Sequence, residues 1–357
     1  MTKKALVAMS GGVDSSVAAF LTKESGYETA GATMELFGGE NGRLNADDIK
    51  DAKAVAGRLG IKYEVFDFTK EFDECVVSPF VESYESGSTP NPCVDCNRRL
   101  KFDAFFRKGR ELGFDTVVTG HYARIECDEE TGKYLLKKAV SEAKDQSYVL
   151  YTLSQDQLAH ASFPIGGLTK DEVRKIAEEQ GFANASKSES QDICFIPEGK
   201  YHDFIKEYSG KDYPPGDFVD SGGNVLGRHS GIINYTVGQR KGLGLALKKP
   251  MYVVEIDAAS NRVILGDNDD LFERELTAGD FNWISGNAPE GEIRCTAKIR
   301  YKHAEAPATA RVTENGNVIV TFDEPQRAIT AGQSAVLDDG DTVLGGGKIL
   351  RVTHCNA

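Results

Sequence analysis

The stretch Ala5–Ser16, ALVAMSGGVDSS, constrains this chain more than any other. Ala5–Met9 is a short apolar run without alternation, the pattern of a strand covered on both faces in a parallel sheet. It runs directly into two glycines and then a polar, helix-opening segment over Asp14–Ser25. The rhythm continues with strands expected over Thr29–Met34, Tyr63–Phe68 and Asp115–Thr119, and helices over Asn45–Gly60 and Asn97–Gly113. In the first of those helices Asn45 is the expected cap, Ile49, Ala52, Ala56 and Leu59 share one face, and Gly60 ends it. Alternating strands and helices define an α/β class with a doubly wound parallel sheet. Such sheets bind ligands at the carboxyl ends of their strands, where Ser10–Gly12 and Gly120–His121 fall.

The remainder reads differently. Arg124–Val140 is an expected hairpin around Thr131-Gly132, and Thr169–Gln180 an expected helix opened by a capping box of Thr169 and Glu172. The texture changes at Tyr213-Pro214-Pro215-Gly216, after which short β runs and glycine turns follow. From about Glu275 the signals are all β, at Cys295–Tyr301, Thr309–Val312, Val318–Phe322, Ser334–Leu337 and Ile349–Val352, which suggests a small barrel. With 357 residues, at roughly 100–200 per domain, the division expected is 1–205 (α/β, Rossmann-like), 206–274 (a small central domain) and 275–357 (β-barrel).

Composition excludes several classes. With 40% apolar and 27% charged residues the chain is not disordered. No apolar run reaches the ~20 residues of a membrane span, and MTKKALVAMSGG lacks the core of a signal peptide. Asn184 and Asn234 match the glycosylation spacing, but without a secretion signal the match carries no meaning. Seven cysteines, an odd number, suggest reduced thiols and a cytoplasmic location. No apolar stripe is left over after the core, so a monomer is expected.

The loop Ser10-Gly11-Gly12-Val13-Asp14-Ser15-Ser16 has the makings of an anion site. Its glycines admit a close backbone approach, and the amides and dipole of the following helix favour negative charge. Ser10, Ser15 and Ser16 are expected to add hydroxyl donors. It is neither a Walker A loop nor a GxGxxG turn. Further on, Thr89-Pro90-Asn91-Pro92-Cys93-Val94-Asp95-Cys96 is a proline-stiffened approach to a helix that Asp95 or Asn97 is expected to cap. A thiol there is acidified by the dipole, and Arg98, Arg99 and Lys101 act the same way, so Cys96 is expected to be a reactive thiolate. No second CxxC exists to complete a structural zinc site. Cys194 lies in Ser190–Ile196, SQDICFI; Cys75, Cys127, Cys295 and Cys355 fall in no motif.

SGGVDSS resembles the pyrophosphate-binding loop of the PP-loop ATP-pyrophosphatase family, whose members split ATP into AMP and pyrophosphate. The loop alone does not choose between thiolation, amidation and lysidine formation. Together and in order, TPNPCVDCN, GHYAR, KDQSYVLY, DICFI, GQRKGLG and DEPQRAITAGQSAV resemble the bacterial tRNA-specific 2-thiouridylases across essentially the whole chain. The resemblance implies ATP contacts at Ala8, Met9, Ser10, Gly11, Gly12, Val13, Asp14 and Ser15, at Met34 and at Gly120. It implies Mg2+ near Asp14, Cys96 as nucleophile and Cys194 as persulfide carrier. Asn91, Pro92 and Cys93 border the target base in this reading, and His121, Lys144, Asp145, Gln146, Arg300, Tyr301 and Gln333 contact tRNA. The substrate implied is the wobble uridine of the tRNA anticodon arm, and the sulfur source a cysteine desulfurase or relay protein. Position 93 is Cys here and Asp in some members, so Cys93, Cys96 and Cys194 are also a candidate ligand set for a four-iron–four-sulfur cluster. Tyr235 stands where many members have His.

The formal charge of −13 speaks against a nucleic-acid partner, but its distribution does not. Arg98, Arg99, Lys101, Arg107, Lys108 and Arg110 cluster around one acid, Asp103. Arg228–Lys249 (Arg228, Arg240, Lys241, Lys248, Lys249) and Arg294–Lys302 (Arg294, Lys298, Arg300, Lys302) contain no acid at all. One basic groove on an acidic body is expected.

Overall fold

The computed structural model describes residues 2–37, 46–187, 193–196 and 200–353. β1 (Lys4–Ala8), β2 (Glu28–Glu35), β3 (Lys62–Asp67) and β4 (Thr116–Val118) run parallel in the order β3-β2-β1-β4, and Ala161–Ser162 continues the sheet beyond β4. β1 is central and its Ala5, Leu6 and Val7 are buried, as expected of a strand covered on both faces. One face is covered by α1 (Val13–Glu24) and α2 (Ala46–Leu59), through Val17, Ala18, Ala52, Val55, Ala56 and Leu59. The other carries Leu100, Ala104 and Phe105 from a later helical segment. Asn45, the expected cap of α2, lies outside the described residues.

That later segment starts five residues earlier than its periodicity suggests. Pro92–Asp95 is α-helical, Cys96–Ala104 widens into π-type turns, and Phe105–Glu111 is α-helical again. Asn91 is the cap: its Oδ1 accepts the Cys93 amide at 3.2 Å, and Pro92 occupies the first position, where an amide would have no partner. The caps expected at Asp95 or Asn97 are therefore corrected. Asn97 is buried inside the helix, its Nδ2 donating to the Val149 carbonyl at 3.1 Å.

The central sheet orders Tyr252–Asp257, Arg262–Gly266, Gly216–Asp220 and Val225–His229 side by side over Phe218, Ile233, Val253, Val263 and Leu265. Tyr235 is part of this core, 4% exposed, with its ring against Phe218 and His229. The C-terminal barrel has six antiparallel strands: Phe272–Trp283, Glu292–Lys298, Ala306–Val312, Val318–Arg327, Ser334–Asp339 and Thr342–Thr353. Pairing of the first with the last closes it. The first strand went unread because FERELTAGDFNW mixes charge with apolar positions, yet Leu276 and Ala278 point into the barrel core.

The hairpin Ala123–Cys127/Tyr134–Lys138 is continuous with the barrel sheet. Its second strand pairs with Thr342–Thr353 through Lys137↔Thr342 and Leu136↔Val343. Lys138 adds ion pairs to Glu305 (2.6 Å) and Asp338 (3.4 Å), and Arg124 one to Asp341 (2.7 Å). Tyr148, fully buried, donates its hydroxyl to the Ser334 carbonyl (2.9 Å) and accepts the Ser334 amide (3.2 Å). Tyr148→Phe leaves that amide without its partner, so we expect a loss of about 1–3 kcal/mol, read as a lower urea midpoint at unchanged m-value.

Candidate active site

The carboxyl ends of β2, β1 and β4 lie side by side, since Ala8 pairs with Ala32 and Val7 with Val118. Ser10, Met34 and Gly120 therefore stand along one edge of the sheet. Met9 closes β1, buried, with its amide on the Ala32 carbonyl at 2.8 Å. Gly11 then takes φ +74°, and a side chain there would run into the backbone of Asp48 in α2. Gly120 packs as closely, since a Cβ would stand 2.7 Å from the Asp14 carbonyl carbon and the Ser15 amide. Gly12 caps α1 without a side chain, so the amides of its first turn have no intrahelical acceptor and open on this edge.

The serines divide their work. Ser16 is buried and its Oγ donates to the Gly12 carbonyl at 2.9 Å. Ser15, also buried, donates to the same carbonyl at 3.0 Å and accepts the Ser10 amide at 3.1 Å. Ser10 alone of the three is exposed, its Oγ 3.3 Å from that of Ser15, so of the three expected hydroxyl donors only Ser10 faces outward.

Asp14 is held from behind. Lys170, 8% exposed, reaches both its oxygens, at 2.7 and 2.9 Å, and the Tyr122 hydroxyl donates to Oδ1 at 2.8 Å. The carboxylate is already occupied by an ammonium, so these residues do not fit a resident Mg2+ on Asp14. Asn184 completes the cradle: Nδ2 donates to the Gly11 carbonyl (2.8 Å) and to Ser16 Oγ (2.9 Å). Sequence reasoning missed Lys170 and Asn184. Lys170 looks like any first-turn helix residue, and Asn184 showed only an irrelevant glycosylation match.

The thiols gather nearby. Cys93 and Cys96 lie one helical turn apart at the start of the segment that Asn91 caps. Cys194 joins them because Phe195 is anchored among Phe72, Phe80 and Phe204, with ring centroids 5.3–5.5 Å apart. Cys93 and Cys194 are exposed and Cys96 is half-buried, with protein packed around all three. Desolvation raises each thiol, that of Cys194 to about 12, and the neighbouring sulfurs add to the rise. Lys101 pulls all three the other way without prevailing. The expected acidified Cys96 is thus corrected: burial outweighs dipole and cation in the ligand-free chain.

His121 links the loop to the thiols. It follows Gly120, is 7% exposed, and both ring nitrogens face protein: Nδ1 lies 2.6 Å from Thr119 Oγ1 and Nε2 3.5 Å from Lys101 Nζ. Burial and Lys101 lower its pKa well below the usual value and keep it neutral. Of the other expected RNA contacts, Asp145 accepts from Ala139 and Ser147, and Gln146 accepts the Tyr122 amide at 3.0 Å. Arg300 donates to the carbonyls of Ala328 (2.6 Å) and Val237 (3.4 Å), and Tyr301 packs on Tyr148 at 6.0 Å. The basic clusters are partly neutralised: Arg98 pairs with Asp280, Arg107 with Asp103, Lys108 with Glu111, Arg110 with Asp156, Arg228 with Asp217, Lys249 with Asp267 and Arg294 with Asp323.

Two outcomes follow from this geometry. Lys170→Met leaves Asp14 half-buried with one hydroxyl donor, which we expect to cost about 1–3 kcal/mol by thermal melting. Iodoacetamide labelling of Cys194 at its raised pKa should keep climbing about tenfold per pH unit from pH 7 to 10, because the thiolate fraction is far from saturation. A plateau near pH 8 contradicts that environment.

Three family models tile the chain: a tRNA methyl transferase HUP domain over residues 3–198, a tRNA methyl transferase PRC-barrel domain over 202–267 and an aminomethyltransferase β-barrel domain over 273–349. Among curated proteins, the tRNA-specific 2-thiouridylase of Clostridioides difficile is 49% identical over 355 residues, covering 98% of each chain. Those of Acetivibrio thermocellus and Moorella thermoacetica are each 50% identical, covering 97% and 98% of this chain and 99% and 100% of theirs. Relatives of this identity are matched over nearly their whole length and that of this chain, so the chain belongs to the tRNA-specific 2-thiouridylase family.

Proposed function

We propose that this protein is a tRNA-uridine 2-sulfurtransferase that uses ATP to activate the wobble uridine and a cysteine persulfide to thiolate it at C2. The observation that carries the reading is that Cys96 and the two neighbours of Cys194, Ile193 and Phe195, pack against the same apolar core although they lie far apart in the chain. That core lies against the sheet whose strand ends and α1 amides are suited to receive an anion.

ATP phosphates would sit on the first amides of α1 and on Ser10, with Met34 and Gly120 offering main-chain contacts at the ends of β2 and beyond β4. Magnesium enters with the nucleotide, since Asp14 is taken by Lys170. The uridine O2 attacks the α-phosphorus and pyrophosphate leaves, which converts a poor leaving oxygen into AMP. The terminal sulfur of a Cys194 persulfide then adds to C2 and expels AMP. The Cys96 thiolate attacks the Cys194 sulfur, breaks the S–S bond and releases the thiolated base. A Cys96–Cys194 disulfide remains, which a cellular thiol reduces by two electrons. A desulfurase or relay protein recharges Cys194. Asn91, Pro92 and Cys93, at the mouth of the helix, border a uridine flipped out of the anticodon loop.

The raised thiol pKa values suit a resting state that waits for its charge: a bare Cys194 is a poor nucleophile, and a persulfide is intrinsically far more acidic. RNA binding falls to the segments around Lys144, Asp145, Gln146, Arg300, Tyr301 and Gln333. Arg99, Arg240, Lys241 and Lys302, which carry no ion pair among the described residues, supply positive charge. No described helix is long and apolar enough to cross a membrane. The cluster alternative is not adopted, because among the described residues no three His, Cys, Asp or Glu side chains converge tightly enough to hold a metal ion.

The test is thiolation of unmodified tRNA with ATP and a persulfide donor, read by mobility in a mercury-containing gel. Cys96→Ser and Cys194→Ser should each fall below about one hundredth of the parent rate while still releasing pyrophosphate in the presence of tRNA. Thiolation that survives Cys194→Ser refutes the persulfide route, and thiolation without ATP refutes adenylation.

A further inference from the structure

The barrel turn Ala328–Ser334 touches more of the site than any other segment outside the α/β domain. The Gln333 side chain reaches across to the cysteine approach, its Nε2 donating to the carbonyls of Thr89 (2.8 Å) and Pro90 (3.2 Å). The Thr89 amide donates in turn to the Ala331 carbonyl at 2.9 Å. Between these bonds sits Gly332, at φ +92°, so close that a Cβ would stand 2.9–3.0 Å from the backbone of Thr89. The two segments thus lie backbone against backbone, just ahead of Asn91, the cap whose Oδ1 fixes the Cys93 amide.

The same turn is held from its other side. Tyr148 binds both main-chain groups of Ser334, Tyr151 meets Ser334 Oγ at 3.1 Å, and Arg300 bonds to the Ala328 carbonyl and to Thr330. Tyr148 follows the Lys144-Asp145-Gln146 triplet and packs on Tyr301. One turn of the barrel therefore joins three chain segments, and only one of them bears the thiols.

From this we infer that Gln333 is a positioning residue for the cysteine loop: with Ala331 and Gly332 it holds the Thr89–Pro90 approach and so sets where Cys93 and Cys96 stand. The barrel is then part of the catalytic framework even without RNA. Because both amide hydrogens of Gln333 already face Thr89 and Pro90, an RNA group that recruits them has to take them from the loop. In this way docking at the barrel moves the approach to the thiols. That last consequence rests on the sulfurtransferase reading above; the positioning itself does not.

The two are separated by measuring the thiols with no RNA present. Gln333→Glu keeps the bulk but replaces the donors by an acceptor facing two carbonyls. In the full-length RNA-free protein, iodoacetamide labelling of Cys93 and Cys96, quantified by peptide mass spectrometry, should change by about fivefold or more. Labelling of Cys127 on the distant hairpin should stay as in the parent, while the melting temperature falls slightly with the two lost hydrogen bonds. In single-turnover thiolation at saturating tRNA the variant should lose rate rather than affinity. Unchanged labelling of Cys93 and Cys96, with weakened tRNA binding, would make Gln333 an RNA contact alone and overturn the proposal. Changed labelling in the variant, with a parent protein that itself thiolates no tRNA, leaves the positioning standing and removes the sulfurtransferase reading. A measurement on the parent chain guards against a variant that misfolds: the Thr89 amide should exchange with deuterium at least tenfold slower than a free amide, and exchange at the free rate overturns the dock.

Discussion

Three backbones meet at the start of α1 with no room for a side chain between them. Gly11 touches the first turn of α2, and Gly120, after β4, touches Asp14 and Ser15. This crowding is what a parallel sheet imposes when neighbouring strands end at one level and the next helix has to begin there. It leaves the amides of a helix N-terminus among the polar groups that open on the edge, with no side-chain cap to satisfy them. The side chains behind it secure the arrangement. Lys170 and Tyr122 hold Asp14, Asn184 ties Gly11 to Ser16, and Ser15 and Ser16 return to the Gly12 carbonyl. Stiffness matters here because amide donors favour a developing charge only if they need not move to meet it.

The sulfur side of the site follows a different principle. Cys93 and Cys194 are exposed and Cys96 half-buried, yet desolvation by the surrounding protein dominates the acidity of all three in spite of Lys101 and a helix terminus. Neutral thiols resist oxidation and unselective alkylation. His121, neutral between Thr119 and Lys101, ties the end of β4 to the helical segment that carries Lys101.

The fold was largely readable. Ala5–Met9 lacks alternation because both of its faces are covered, and that pattern alone places it in the middle of a parallel sheet. The capping box at Thr169 and Glu172 formed as expected, because its reciprocal bonds depend only on residues three apart. The helix at Pro92 was misplaced for the opposite reason. Its first turn carries no apolar periodicity, and the cap is Asn91, hidden between two prolines. The strand Phe272–Trp283 was missed because long strands that close a barrel are only half-buried and tolerate charge on every outward position.

The sequence by itself determined the α/β class, the glycine loop at the end of β1 and the all-β C-terminal region. Each of these is written in neighbouring residues. Tertiary structure alone decided that Asp14 belongs to Lys170, that Asn184 locks the anion loop, that Cys96 is raised rather than acidified, and that Gln333 reaches Thr89 and Pro90. These are contacts and solvation between positions tens to hundreds of residues apart. Propensity and periodicity report a residue's neighbours along the chain; acidity and hydrogen-bond partnership depend on which groups folding brings close and how much water it removes.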